Sequence, residues 1–89
     1  MKLKSGFVLE EVAGTYLAVA VGERAEELKV LIKLNDTGAF LWNILAERNV
    51  TEAELVDALL SEYEVSRELA ERSVESFVKA VSGGGLIDG

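Results

Sequence analysis

The sequence contains no cysteine and no histidine in its 89 residues. Without cysteine there is no disulfide framework and no thiolate chemistry, and the redox compartment is left open. Without histidine the commonest general base and the commonest metal ligand are missing. Basic residues are scarce, 9 against 16 acidic ones, for a net charge of −7. The acidic residues are spread along the chain, which favours solubility. They oppose non-specific binding to nucleic acid, whose affinity comes largely from Lys and Arg on phosphates. Long hydrophobic runs are lacking too: the longest uncharged apolar run, residues 16–21, is far short of a membrane span. At the start, Lys2 and Lys4 are followed by only Phe7, Val8 and Leu9 before Glu10 and Glu11, too little for a secretory segment. These absences together predict a soluble cytoplasmic domain.

Apolar residues, by contrast, make up 49% of the chain, enough to fold rather than stay disordered. The length predicts a single domain over residues 1–89, with one modest core and no deep catalytic cavity. The first third reads as strands. "FVLEEV" (residues 7–12) and "TYLAVAV" (residues 15–21) are rich in β-branched and aromatic residues. Ala13-Gly14 between them fits a tight hairpin, because glycine tolerates positive φ. In the second strand Leu17, Val19 and Val21 face one way, and Tyr16, Ala18 and Ala20 the other. After a polar connection, "LKVLIKL" (residues 28–34) alternates: Leu28, Val30, Ile32 and Leu34 on one face, Lys29, Leu31 and Lys33 on the other.

The remainder reads as three helices. Asn35 or Asp36 caps the first, in which Leu41, Ile44 and Leu45 recur at helical spacing beside Phe40 and Trp42. Asn49, which tolerates a left-handed conformation, is expected to stop it. "TEAE" (residues 51–54) is a capping box that opens the second helix, with an apolar stripe of Leu55, Val56, Leu59, Leu60 and Tyr63. Ser66 caps a third helix running to about Ser82, where Gly83-Gly84-Gly85 cannot sustain it, and "LID" follows as a short returning tail. Three strands covered on one face by three helices make an α+β domain.

No motif advertises catalysis. Carboxylate pairs such as Glu10/Glu11, Glu26/Glu27 and Glu52/Glu54 read as solvated faces or as favourable charge near a helix N-terminus. The glycine triplet follows a helix instead of leading into one, so it builds no phosphate-cradling loop. No EF-hand spacing is present, and no metal or cofactor is expected. The third helix is more informative. At 100° per residue, Leu69, Ala80, Ser73, Phe77, Ala70, Val81, Val74 and Val78 follow one another around an arc of about 180°. A surface helix needs only somewhat more than 100° of apolar stripe. Either the helix is wedged between sheet and neighbouring helices, or one edge of the arc lines a groove for a partner. Trp42 reads as core.

The order of elements, with "LNDTGAFLWNIL" at the strand-to-helix junction, then "VTEAELVDALLSEYEVS" and a long third helix ending in "GGGLID", resembles the PqqD family. These are the recognition elements for ribosomally made precursor peptides. The resemblance covers most of the chain from about Leu28 to Ile87, and the Leu-Asn-x-Thr-Gly junction before an apolar helix carrying Trp42 is its most specific part. Family members usually have Asp-Gly after the first helix; "AERNV" stands here, with Asn49 expected to make the same backbone turn. The resemblance implies a winged-helix-like domain, a three-stranded antiparallel sheet followed by three helices. It further implies a non-catalytic protein that adds the leader segment of a precursor as a strand beside the third strand. The leader is thereby presented to a separate modifying enzyme such as a radical-SAM protein. Carried over by position, strand contacts come from Lys29, Val30, Leu31, Ile32 and Lys33, and the helix wall from Ala70, Ser73, Val74, Phe77 and Val78. The competing readings are a winged-helix DNA-binding regulator and a generic protein–protein adaptor. The first needs a basic recognition helix, and here Arg67, Arg72 and Lys79 are balanced by Glu68, Glu71 and Glu75.

Overall fold

Among the residues described by the computed structural model, 1–22 and 32–88, the chain order is five strands interrupted by three helices. These are β1 (Lys2–Leu3), β2 (Phe7–Val12), β3 (Thr15–Ala20), β4 (Ile32–Leu34), α1 (Asp36–Glu47), α2 (Glu52–Glu62), α3 (Arg67–Gly83) and β5 (Ile87–Asp88). The main sheet is antiparallel in the order β2-β3-β4. Its register pairs Val12 with Thr15 across the hairpin, and Tyr16, Leu17 and Ala18 with Leu34, Lys33 and Ile32. Alternation then places Phe7, Leu9, Tyr16, Ala18, Ile32 and Leu34 on the face against the helices, where Ala18 and Leu34 are in the buried core and the other four pack against it.

Both hairpin residues are left-handed, Ala13 at φ 52° and Gly14 at φ 82°. That is the two-residue turn whose twist matches the strands it joins, and it favours Asn at the first position. For alanine the left-handed region costs about 1–2 kcal/mol. Ala13→Asn should therefore stabilise the protein by about 1 kcal/mol, read as a rise of about 4–8 °C in Tm for a domain of this size. An unchanged or lower Tm would show that the hairpin is not under that strain.

The strand-to-helix junction is explained by two contacts. Asn35, in extended conformation, caps α1: its side-chain oxygen accepts the Gly38 N–H at 2.8 Å. Gly38 itself lies against Leu34, and a Cβ there would come within 3.1 Å of the Leu34 Cβ and Cδ2. Glycine thus lets the first turn of the helix press onto the last core residue of β4. The sheet passes to the helical layer within four residues because each has one task there.

The capping box at Thr51 and Glu54 forms in both directions, at 3.0 and 3.2 Å. Ser66 caps α3 by accepting the Leu69 N–H at 3.1 Å. Leu41, Leu45, Leu55, Leu59, Val74 and Val81 are fully buried between the helices, and Trp42 is core as expected. Phe40 and Tyr63 meet edge to face, ring centroids 5.5 Å apart, tying α1 to the end of α2.

Three details differ from the sequence expectation. The first helix ends at Glu47 with Arg48 extended, at φ −156° and ψ 163°. Asn49 has no positive φ, so it is not the left-handed stop that a glycine would provide. Second, α3 incorporates Gly83, and Gly85 (φ 74°) is the residue that breaks it. The Gly85 and Leu86 N–H groups bond back to Ser82 and Val81, a Schellman closure that folds Leu86 into the core. Third, the tail after the glycines is a strand: β5 pairs with β1, Leu3 opposite Ile87, and makes a second, two-stranded sheet. Residues 28–31 of the expected third strand lie outside the described residues. Among the described residues no helix is long and apolar enough to cross a membrane.

Candidate functional site

The register of the sheet determines which backbone groups are spent inside it. In a two-residue hairpin the closing pair, Val12 and Thr15, exchanges hydrogen bonds, and bonded pairs alternate from there. Leu17 and Val19 therefore bond toward β2, while Tyr16 and Ala18 turn toward β4. Their partners Leu34 and Ile32 answer them. Lys33 sits between these two and directs its N–H and C=O to the other side. Among the described residues no strand pairs with that side, so β4 is an edge with unspent hydrogen-bonding groups.

Across from this edge runs α3, and between them opens a cleft of about 600 Å³. Its floor at the strand is Lys33 and Leu34, continued by Asn35, Thr37 and Gly38 of the junction. Gly14 and Thr15 of the hairpin close one end. The helix wall is Arg72, Ser73, Ser76, Phe77 and Ala80. A second, smaller pit of about 100 Å³ shares Thr37 and Ser73 with the cleft and is otherwise lined by Leu59, Tyr63, Val65, Leu69 and Ala70.

The wide apolar arc of α3 is thereby divided among three tasks. Its middle, Ala70, Val81 and Val74, is no more than 1% exposed and is core. Its leading end, Leu69, Ala80 and Ser73, borders the cleft and the pit, and Leu69 is 50% exposed. Phe77 does both, buried to 4% yet lining the cleft. Val78, at the far end of the arc, is half-buried against the core and away from the cleft.

Of the residues expected from sequence, the structure brings Lys33, Ser73 and Phe77 together around the cleft, with Ala70 in the adjoining pit. Ile32 faces the core beside the cleft, and Val74 and Val78 support α3 from behind. Lys29, Val30 and Leu31 lie outside the described residues. Thr37, Leu69, Arg72, Ser76 and Ala80 were not expected. Leu69 and Ala80 had a signal, since they already close one end of the arc. Arg72 and Ser76 had none, because a polar residue facing a cleft and one facing open water look alike in sequence.

Among the described residues no cluster of three or more acidic, histidine or cysteine side chains has the spacing to hold a metal. The Tyr16 phenol, on the sheet beneath the junction, is pushed above its ordinary pKa of 10 by the Glu11 carboxylate first, then by partial burial, Asp36 and Tyr63. It is neutral at physiological pH and offers no base. The Arg72 guanidinium donates to Glu68 Oε1 at 2.9 Å in an exposed pair, which adds little stability.

Comparison with known proteins gives a consistent picture. The family model for coenzyme PQQ synthesis protein D (PqqD) matches residues 8–87. No curated protein matches the sequence. Two solved structures share the fold. TbiB1 in complex with the TbiA(beta) leader peptide is 25% identical at a TM-score of 0.72, covering 100% of this chain and 96% of that one. A lasso peptide synthetase B1 complexed with the leader peptide is 25% identical at 0.67, covering 96% and 93%.

Proposed function

Because this chain belongs to the PqqD family, we propose that it captures the leader segment of a ribosomally made precursor peptide without catalysing a step itself. The leader is then presented to a separate modifying enzyme. One observation carries this reading: an edge of β4 that pairs with no strand among the described residues borders a cleft walled by α3, in a fold shared with two proteins solved with leader peptides. Strand addition to such an edge supplies affinity through backbone bonds and specificity through side-chain pockets. Lys33 offers the backbone groups of the edge, and Ser73, Ser76, Phe77 and Ala80 form the wall. Leu31 and Lys29 share the sequence parity of Lys33 but lie outside the described residues. A radical-SAM protein or a lasso peptide synthetase is the kind of enzyme that receives the peptide.

Titration of the purified protein with the fluorescently labelled leader of the precursor encoded beside its gene tests the reading. The expected Kd lies between about 10 nM and 1 μM, roughly −11 to −8 kcal/mol. That is within reach of a short added strand with two or three apolar anchors. The same titration with duplex DNA at physiological salt should show only weak, sequence-independent binding. Nanomolar, sequence-specific DNA binding with no affinity for the leader would replace this reading with that of a regulator.

A further inference from the structure

Among the described residues, the lining of the cleft carries the opposite sign to the chain as a whole. The chain has a net charge of −7, yet among the described residues the charged ones lining the cleft are Lys33 and Arg72, with no carboxylate beside them. Arg72 is shared with Glu68, but that pair is exposed, and a guanidinium has five N–H donors to distribute. The pit that opens from the cleft has the contrary character. Leu59, Tyr63, Val65, Leu69 and Ala70 make it mainly apolar, with Thr37 and Ser73 at the side it shares with the cleft, and its volume is about 100 Å³. A cavity of about 150 Å³ holds a benzene ring, so the smaller pit suits a branched aliphatic side chain better than an aromatic one. Leu69, the one residue of α3 that is both large and apolar and 50% exposed, stands at its rim.

We infer that the cleft selects an extended peptide segment bearing an aliphatic side chain for the pit and a carboxylate for Lys33 and Arg72. This rests on the peptide-binding reading and gives it a specificity. It also has a consequence that overall charge does not predict. Two acidic molecules repel, and added salt should help them associate by screening that repulsion. Attraction confined to the lip of the cleft has the reverse salt dependence.

The probe is a displayed library of random twelve-residue peptides, selected on the full chain. A recovered sequence is then synthesised with a fluorescein label. Enrichment of Leu, Ile or Val at one position and of Asp or Glu at another is expected. Replacing the aliphatic residue by alanine should weaken binding about ten- to a hundredfold, the effect of leaving one such side chain unburied. Replacing it by tryptophan should do at least as much. Changing the carboxylate to its amide should weaken binding about three- to tenfold, and K33Q with R72Q should produce the same loss without adding to it. Affinity should fall between 0.05 and 0.5 M salt, as about 10 Å screening lengths shorten. Recovered peptides that are basic or aromatic, or an affinity that rises with salt, would overturn the inference and leave peptide binding standing. Recovery of no peptide, with a precursor leader also failing to bind, would remove both.

Discussion

Ile32→Pro should cost the domain a large part of its stability, whereas Lys33→Pro, one residue on, should leave it folded and weaken its hold on an extended peptide. The difference follows from the hairpin. The Val12–Thr15 closing pair fixes which residues of β3 turn toward β4, and those face Ile32 and Leu34. Proline at 32 deletes an N–H that the ladder uses and sets a ring against β3, a loss of about 3 kcal/mol. A domain of 89 residues has about 4–13 kcal/mol in all. Proline at 33 deletes an N–H that points away from β3, and it restricts Ile32 only to the extended conformation it already has. Its cost in stability should stay under about 1 kcal/mol, and its cost in peptide affinity should be about 1–3 kcal/mol, or five- to more than a hundredfold in Kd. Urea denaturation and the leader titration, run on both variants, read the two quantities separately. If K33P spares binding as well as the fold, the peptide docks somewhere other than this edge.

How much of this was legible in the sequence depends on how local each feature is. The hairpin, the Asn35 cap, the box at Thr51 and Glu54 and the Ser66 cap are set by residues within four positions of one another. Each of them forms in the structure. The pleat of the sheet followed from alternation, which put Ile32 and Leu34 on one face; the structure shows that this face is the core side. Features decided by distant contacts were not legible. Two-residue strands such as β1 and β5 carry no periodicity, and they exist because Leu86 is drawn into the core and brings Ile87 alongside Leu3. Asn49 tolerates a left-handed turn but is not required to make one, and the chain leaves α1 through an extended Arg48 instead. The arc on α3 announced more apolar surface than a single packing face needs. It did not say which end was the surplus, because that depends on where β4 and the junction come to lie.

That division of the arc gives the last prediction, which sets its two ends against each other. Ser73 belongs to both the cleft and the pit, and it is only half-buried. In Ser73→Trp the indole fills the space that an extended peptide and its anchor would occupy, while the buried neighbours Ala70, Val74 and Phe77 keep their own packing. Binding of the leader should fall more than a hundredfold, since about 3 kcal/mol of anchor burial is lost outright. Stability should change by less than about 1 kcal/mol, because the new ring enters open space and overpacks nothing. Val78→Asp should do the reverse. Val78 is packed against the core at the end of the arc away from the cleft. A carboxylate there must either stay desolvated or pull the helix outward, at about 2–4 kcal/mol. Its peptide affinity, measured on the fraction that remains folded, should stay within about threefold of the wild type, under 1 kcal/mol. Thermal unfolding and peptide titration of the two variants together form the measurement. Loss of binding in V78D at unchanged Tm, with S73W binding normally, would move the site to the opposite face of the helix.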